Sequence, residues 1–213
     1  MRWDHQCAVV PLVVSLLVAI AFQQQVEKKQ RQNYYVKPDQ TADLASDTKM
    51  VTAKQNCENW ALAAGLETML QQQNVALDQN FWVIRMNGGE LCLNDLPTIE
   101  TLTHAVNKEF VLDDGRHVRL EIQFTPGPPV NIDPVIAGLK LQQVTLLLWR
   151  GHPYYLTGLT YDERIGRDGT RFFEVKEIRL ANTFAKLPGV TFEKGRDDPA
   201  EIQGILSVKV TLL

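Results

Sequence analysis

A cysteine, a histidine and an asparagine follow one another along the chain as Cys57, His152 and Asn182. These residue types can perform acyl transfer, because a thiolate attacks a carbonyl carbon, an imidazole carries the proton and an amide oxygen orients the imidazole. Cys57 lies where a loop meets the N-terminus of a predicted helix, and the partial positive charge there favours thiolate over thiol. The three residues therefore predict nucleophilic catalysis by Cys57, with His152 as the base and Asn182 as its orienting group.

The elements that carry these residues can be read from the pattern of apolar residues. The stretch from Cys57 to Asn74 is apolar on nearly all sides, which predicts a buried central helix rather than a surface helix. His152 lies on a turn between two apolar runs, 144–149 and 153–161, which predict a pair of strands. Asn182 follows a predicted strand over 171–180.

The remaining elements divide the chain into a helical first part and a strand-rich second part. Helices are predicted after Asp78, after Asp95 with Pro97 in the first turn, and from Asp133 to Leu141. Strands are predicted over 110–112, 118–124 and 205–213. Because the helices mostly precede the strands, the expected fold class is α+β with an antiparallel sheet.

The N-terminus has the features of an export signal. The apolar run over residues 8–22 is shorter than the roughly 20 residues that a bilayer-spanning helix needs. It ends in Ala19-Ile20-Ala21, a small-x-small cleavage pattern. We expect residues 1–21 to be a signal peptide, 22–49 a polar tether and 50–213 the folded domain, located in the periplasm or outside the cell. An uncleaved anchor is the alternative.

Composition excludes several classes of function. The chain is 45% hydrophobic and 22% charged, with a formal net charge of -3, so it lacks the Lys/Arg excess of a nucleic-acid-binding domain. His104 and His117 have no Cys, His or carboxylate at ligand spacing, so no metal site is expected. No phosphate loop or dinucleotide fingerprint occurs, and no cofactor is expected. The oligomeric state is left open.

Three segments resemble papain-like cysteine peptidases, including secreted bacterial members related to the bacteriocin-processing peptidases. They are Cys57-Glu-Asn-Trp-Ala-Leu-Ala-Ala-Gly, the Gly151-His152 turn followed by Thr157-Gly158, and Leu180-Ala181-Asn182. The resemblance covers roughly residues 50 to 213. It implies a papain-like fold, in which a helical part with a buried central helix precedes an antiparallel sheet. It also implies hydrolysis of peptide or isopeptide bonds in peptides or proteins, through an acyl-enzyme.

The chain departs from that family pattern near the cysteine. In the papain group the cysteine directly precedes the tryptophan, whereas Asn59 does so here. The family also places an oxyanion-hole glutamine about six residues before its cysteine, and the nearest glutamine here is Gln55. Gln55 could hold the oxyanion only if this loop is rearranged relative to the family.

Cysteine pairing gives a second hypothesis. Loss of Cys7 with the signal peptide leaves Cys57 and Cys92, an even pair in an oxidising compartment. In the papain group a disulfide joins the segment before the catalytic cysteine to one beside an Asn-Gly-Gly, and Cys92 follows Asn87-Gly88-Gly89. Two hypotheses therefore stay open. The chain is either a cysteine peptidase with a free Cys57 or a catalytically inactive papain-like domain for binding or structure, with a Cys57–Cys92 disulfide.

Overall fold

The computed structural model describes residues 34–54, 57–92, 96–184 and 186–213. Its α-helices are α1 (Glu58–Gln71), α2 (Gln79–Asn87), α3 (Ile99–Val106) and α4 (Asp133–Lys140). Its strands are β1 (Tyr34–Asp43), β2 (Glu109–Val111), β3 (His117–Pro126), β4 (Leu146–Trp149), β5 (His152–Gly166), β6 (Arg171–Asn182), β7 (Val190–Glu193) and β8 (Ile202–Leu212). The predicted α+β class is confirmed.

The strands form one sheet in the order β2-β3-β8-β4-β5-β6-β7, and β1 pairs with β5 outside this path. Strands β3 and β8 pair antiparallel from Val118 opposite Leu212 to Pro126 opposite Gly204. Strand β4 lies between β8 and β5 and is antiparallel to both. The C-terminal strand β8 thus lies between β3 and β4, two strands that precede it in sequence.

Helix α1 forms the centre of the core, as its apolar sequence predicts. Its residues from Asn59 to Leu66 are all buried, and they pack with residues of α2, α3, β3, β4 and β8. Gly65 permits the closest approach, because a Cβ atom at this position would lie 2.4 Å from Cδ1 of Leu146. The helix therefore lies directly against β4, the strand that leads to His152.

Side-chain caps determine where α2 and α3 begin. The Asp78 carboxylate accepts a hydrogen bond from Phe81 N at 2.8 Å, which confirms Asp78 as the N-cap of α2. Gly88, with a φ of 74°, ends that helix in a left-handed conformation. Helix α3 starts later than predicted, because the Thr98 hydroxyl caps it by accepting from Thr101 N at 3.1 Å.

Strand β1 lies inside the stretch for which composition predicts a polar tether, so folded structure begins before Met50. The sequence anticipates only a short strand at Tyr34 to Val36. The second half of β1 is held by charge, because Asp39 pairs with Lys176 at 2.7 Å and Asp43 pairs with Arg179. A strand that is held by ion pairs does not need alternating apolar residues, so the usual sequence signal of a strand is absent here. Strand β7 is likewise an addition to the predicted elements.

The predicted signal peptide lies outside the described residues. Within the described part of the chain, no helix has both the length and the hydrophobicity needed to cross a bilayer.

Contacts divide the chain into two units. The larger unit comprises residues 39–161 and 175–213 and contains all four helices. In the smaller unit the described residues are 34–38 and 162–174. There Glu163 accepts from Arg171 at 2.6 Å and Lys37 at 3.3 Å, and these bonds lower the pKa of Glu163. Tyr34 packs edge-on against Phe172 with ring centroids 5.7 Å apart.

The contact between Gly65 and Leu146 gives a stability prediction. We expect Gly65→Ala to lower the free energy of unfolding by about 1–3 kcal/mol, because the new methyl group displaces a fully buried leucine. The matched control is Gly138→Ala in α4, where the nearest atom to a new Cβ is 3.8 Å away. This control should gain up to about 1 kcal/mol from helix propensity. Urea denaturation measures both, and equal effects of the two substitutions would contradict the close packing of α1 on β4.

Candidate functional site

Residues that lie far apart in sequence meet at one cavity of 590 Å³, a volume typical of ligand sites. Its lining includes Cys57, His152 and Asn182, the three residues that the sequence singles out for chemistry. The other lining residues are Ala53, Glu58, Ala61, Pro153, Tyr154, Thr183, Phe184, Lys186 and Leu187. All of them belong to the larger unit.

Cys57 is the N-cap residue of α1, with extended backbone at φ -125° and ψ 97°. Its carbonyl oxygen accepts a hydrogen bond from Trp60 N at 3.0 Å, which begins the helix. Its sulfur is bonded to that of Cys92, and the two Cα atoms are 5.1 Å apart. The disulfide hypothesis thus describes the state that the structure shows. The sulfur that nucleophilic catalysis requires is already bonded in this state.

His152 is placed at the cavity by a two-residue hairpin turn. Trp149 pairs with His152 across the turn, and the intervening Arg150 and Gly151 both have positive φ, at 52° and 76°. Two left-handed residues in succession match the twist of the flanking strands, so the turn is tight. His152 is exposed, and its ring packs edge-on against Tyr154 with centroids 6.4 Å apart.

The left-handed backbone of Arg150 is unusual for a residue other than glycine. Its side chain is held by contacts with neighbouring residues. The guanidinium Nε donates to Glu201 at 2.7 Å, and the group stacks over Trp149 at 4.5 Å from the ring centroid. In addition, Gly151 N donates to the Gln203 side chain at 3.1 Å. These contacts attach the turn before His152 to residues at the N-terminal end of β8.

Asn182 ends β6, and its side-chain oxygen is engaged locally. Oδ1 accepts a hydrogen bond from Phe184 N at 2.9 Å, which shapes the turn after the strand. Among the described residues no hydrogen bond joins Asn182 to His152. The structure therefore places the predicted orienting group and the predicted base on the same cavity without the contact that orientation of the imidazole requires.

A buried hydroxyl junction holds the chain that leads into Cys57. The Tyr155 hydroxyl donates to Val51 O at 2.6 Å and lies 2.9 Å from Thr68 Oγ1. Thr68 Oγ1 in turn accepts from Val51 N at 2.9 Å and donates to Ala64 O at 3.0 Å. The junction thereby joins β5, α1 and the approach to Cys57 at one point.

A backbone hydrogen bond extends this arrangement to the third element of the site. Ala53 N donates to Thr183 O at 2.7 Å, next to Asn182. The segment before Cys57 is therefore fixed on both sides, at Val51 by the junction and at Ala53 by the end of β6. These bonds hold Val51 and Ala53 against β5 and against the end of β6, which carry His152 and Asn182.

Asn59, which stands where the papain group has its cysteine, does not line the cavity. It is 1% exposed, and neither atom of its side-chain amide has a hydrogen-bond partner among the described residues. Gln55, the predicted oxyanion residue, lies outside the described residues.

The cavity is also lined by two charged residues that the sequence analysis does not single out, Glu58 and Lys186. Glu58 is the first residue of α1, and an acidic residue directly after a helix N-cap is a recognisable signal. Lys186 lies shortly after the end of β6, and no sequence pattern marks it. In the described part of the chain, no group of three or more His, Cys, Asp or Glu side chains could hold a metal ion.

No protein-family model, no curated protein and no solved structure matches the chain.

We expect the disulfide to contribute substantially to the free energy of unfolding. Cys57 and Cys92 are separated by 35 positions, and closing a loop of that size stabilises the folded state by about 3–4 kcal/mol in the loop-entropy account. We expect Cys92→Ser to melt several degrees below the wild type in a calorimetric scan without reductant. Addition of a phosphine reductant should bring the wild type down to the variant and leave the variant unchanged. A wild-type melting curve that ignores the reductant would contradict the bridge.

Because the Tyr155 hydroxyl is buried, we expect the free energy of unfolding to depend on pH in alkaline solution. Burial raises the pKa of Tyr155, and the neighbouring Thr68 hydroxyl opposes this only in part. Because an unfolded tyrosine titrates near pH 10, the unfolded state loses its proton first, so stability is full below that pH and falls above it.

Between pH 10 and pH 11 the wild type should therefore lose about 1 kcal/mol more than Tyr155→Phe in urea denaturation. The variant is the matched control, because every other titrating group is retained. Parallel losses in the two proteins would show that Tyr155 is not buried as described.

Proposed function

We propose that the chain is an exported papain-like domain that binds peptide segments in the cavity beside His152 and Asn182, and that it is not catalytic while Cys57 is bridged to Cys92. The disulfide carries this proposal, because it removes the thiol that hydrolysis would need. What remains at the site is a formed cavity with a histidine and an amide on its wall.

The papain-like assignment is supported by the placement of the three motif residues. Cys57 stands at the start of a buried helix, His152 at the start of a strand and Asn182 at the end of the next strand. The resemblance described above expects this order of elements. All three residues line one cavity although 125 positions separate Cys57 from Asn182 in the sequence.

A peptide ligand is supported by the mixed chemistry of the lining. Pro153, Phe184 and Leu187 offer apolar contacts, whereas Asn182 and Thr183 offer hydrogen-bonding groups. A peptide presents apolar side chains and unpaired backbone N–H and C=O groups side by side, so both kinds of wall are used.

Export is supported by the disulfide and by the predicted signal peptide. Disulfides persist in the periplasm and outside the cell, whereas cytosolic thiol reductants keep cysteines reduced. The cavity would in that case meet its ligands in an oxidising environment, with the bridge intact.

A second function, cysteine-dependent peptide or isopeptide hydrolysis, is favoured by one observation, namely that Cys57, His152 and Asn182 share the cavity. It requires a reducing dithiol. The dithiol is oxidised to its own disulfide while the Cys57–Cys92 disulfide is reduced to two protein thiols. The Cys57 thiolate then attacks the carbonyl carbon and His152 protonates the leaving amine. Water finally hydrolyses the thioester and restores the thiol. The two proposals differ only in whether the bridge is permanent.

One peptide pool tests both proposals. A tryptic digest of β-casein is added to the isotope-labelled protein without reductant, and the amide signals of Asn182, Thr183 and Phe184 are followed by nuclear magnetic resonance. Mass spectrometry of the same mixture reports cleavage. We expect shifts of these signals without new peptide fragments.

The reduced protein and the Cys57→Ala variant complete the experiment. Cleavage that appears only after reduction and is absent in Cys57→Ala would establish the hydrolase function instead. Cleavage by the unreduced protein would contradict the proposal that the bridged form is inactive, and an absence of shifts would contradict peptide binding.

A further inference from the structure

Two side chains of opposite formal charge line the cavity, Glu58 from the start of α1 and Lys186 from the turn after β6. Within the described residues neither one forms an ion pair. The fold itself explains the charge of Glu58 but not that of Lys186.

The negative charge of Glu58 has a structural role. The side chain belongs to the first turn of α1, where the exposed N–H groups and the helix dipole stabilise a carboxylate. A ligand is not needed to explain an acidic residue at this position.

The positive charge of Lys186 has no such role. The residue is exposed on a turn that is closed by a hydrogen bond from Leu187 N to Phe184 O at 3.1 Å. Phe184, Lys186 and Leu187, which follow Asn182 closely in the sequence, line the cavity. Lys186 is thus an exposed cation on the cavity wall that forms no ion pair within the described residues, and Glu58 is the other charged side chain of the lining.

An exposed apolar residue accompanies this cation. Leu187 is 55% exposed although it borders the cavity, and Phe184 lines the same wall. A wall that combines an unpaired ammonium group with exposed apolar surface is complementary to a ligand with a carboxylate next to an apolar group.

We propose that Lys186 makes the cavity selective for peptides that carry a carboxylate, with Phe184 and Leu187 contacting an apolar side chain beside it. This inference rests on the proposed peptide binding and adds the class of peptide. An acidic side chain and a free C-terminus offer the same carboxylate chemistry, and the test distinguishes them.

The expected preference is modest because Lys186 is exposed. Exposed ion pairs favour binding by about two- to fivefold, and salt weakens them. We therefore expect a preference of about this size for a carboxylate peptide over its amide, which decreases when the ionic strength is raised.

Three acetylated tetrapeptides test the inference on the unreduced protein. The first has the sequence Ala-Phe-Ala-Glu with an amidated C-terminus, the second is its glutamine analogue, also amidated, and the third is the glutamine analogue with a free C-terminus. Dissociation constants are obtained by titration of the Thr183 and Phe184 amide signals. Tighter binding of the first peptide assigns the preference to an acidic side chain, and tighter binding of the third assigns it to a C-terminus.

Lys186→Gln should abolish the preference while binding of the amide peptide is retained. Lys209→Gln, which removes an exposed lysine of β8 away from the cavity, is the matched control and should leave the preference unchanged. Equal affinities of all three peptides for the wild type, or a preference that survives Lys186→Gln, would overturn the role of Lys186 and leave peptide binding intact. An absence of shifts with every peptide would overturn the proposed function as well.

Discussion

The cavity depends on one buried hydroxyl group. The Tyr155 hydroxyl of β5 contacts Val51, in the segment before Cys57, and Thr68 of α1, which lie 104 and 87 positions earlier in the sequence. A polar group buried at this depth is stable only while its hydrogen bonds are made, so the junction tolerates one arrangement of these elements. The bond from Ala53 to Thr183 transmits that arrangement to the strand end that bears Asn182.

The disulfide sets the chemical state of the site. At the start of α1, the sulfur of Cys57 is bonded to that of Cys92. A helix N-terminus lowers the pKa of a thiol and makes it reactive, but a disulfide uses the sulfur for stability instead. The proposed binding function follows because the bridge leaves the cavity formed and takes away only the nucleophile.

Features set by local pattern were predictable from the sequence. The apolar run of α1, the Asp78 cap and the turn before His152 each follow from neighbouring residues. Features that require partners distant in sequence were not. Strand β1 is held by ion pairs to β6, and Lys186 lines the cavity only because the chain after β6 turns back towards it. The engagement of Asn182 Oδ1 by Phe184 also depends on the folded turn, so residue type alone could not reveal it.

The state of the two cysteines is the central claim, and mass spectrometry tests it most directly. The protein is purified from an oxidising compartment without reductant and treated with iodoacetamide at about pH 6, well below the usual thiol pKa of about 8.5. We predict that Cys57 remains unlabelled and that proteolysis releases a peptide pair joined through Cys57 and Cys92. Rapid labelling of Cys57 in the unreduced protein would reveal a free, activated thiolate and would contradict the account.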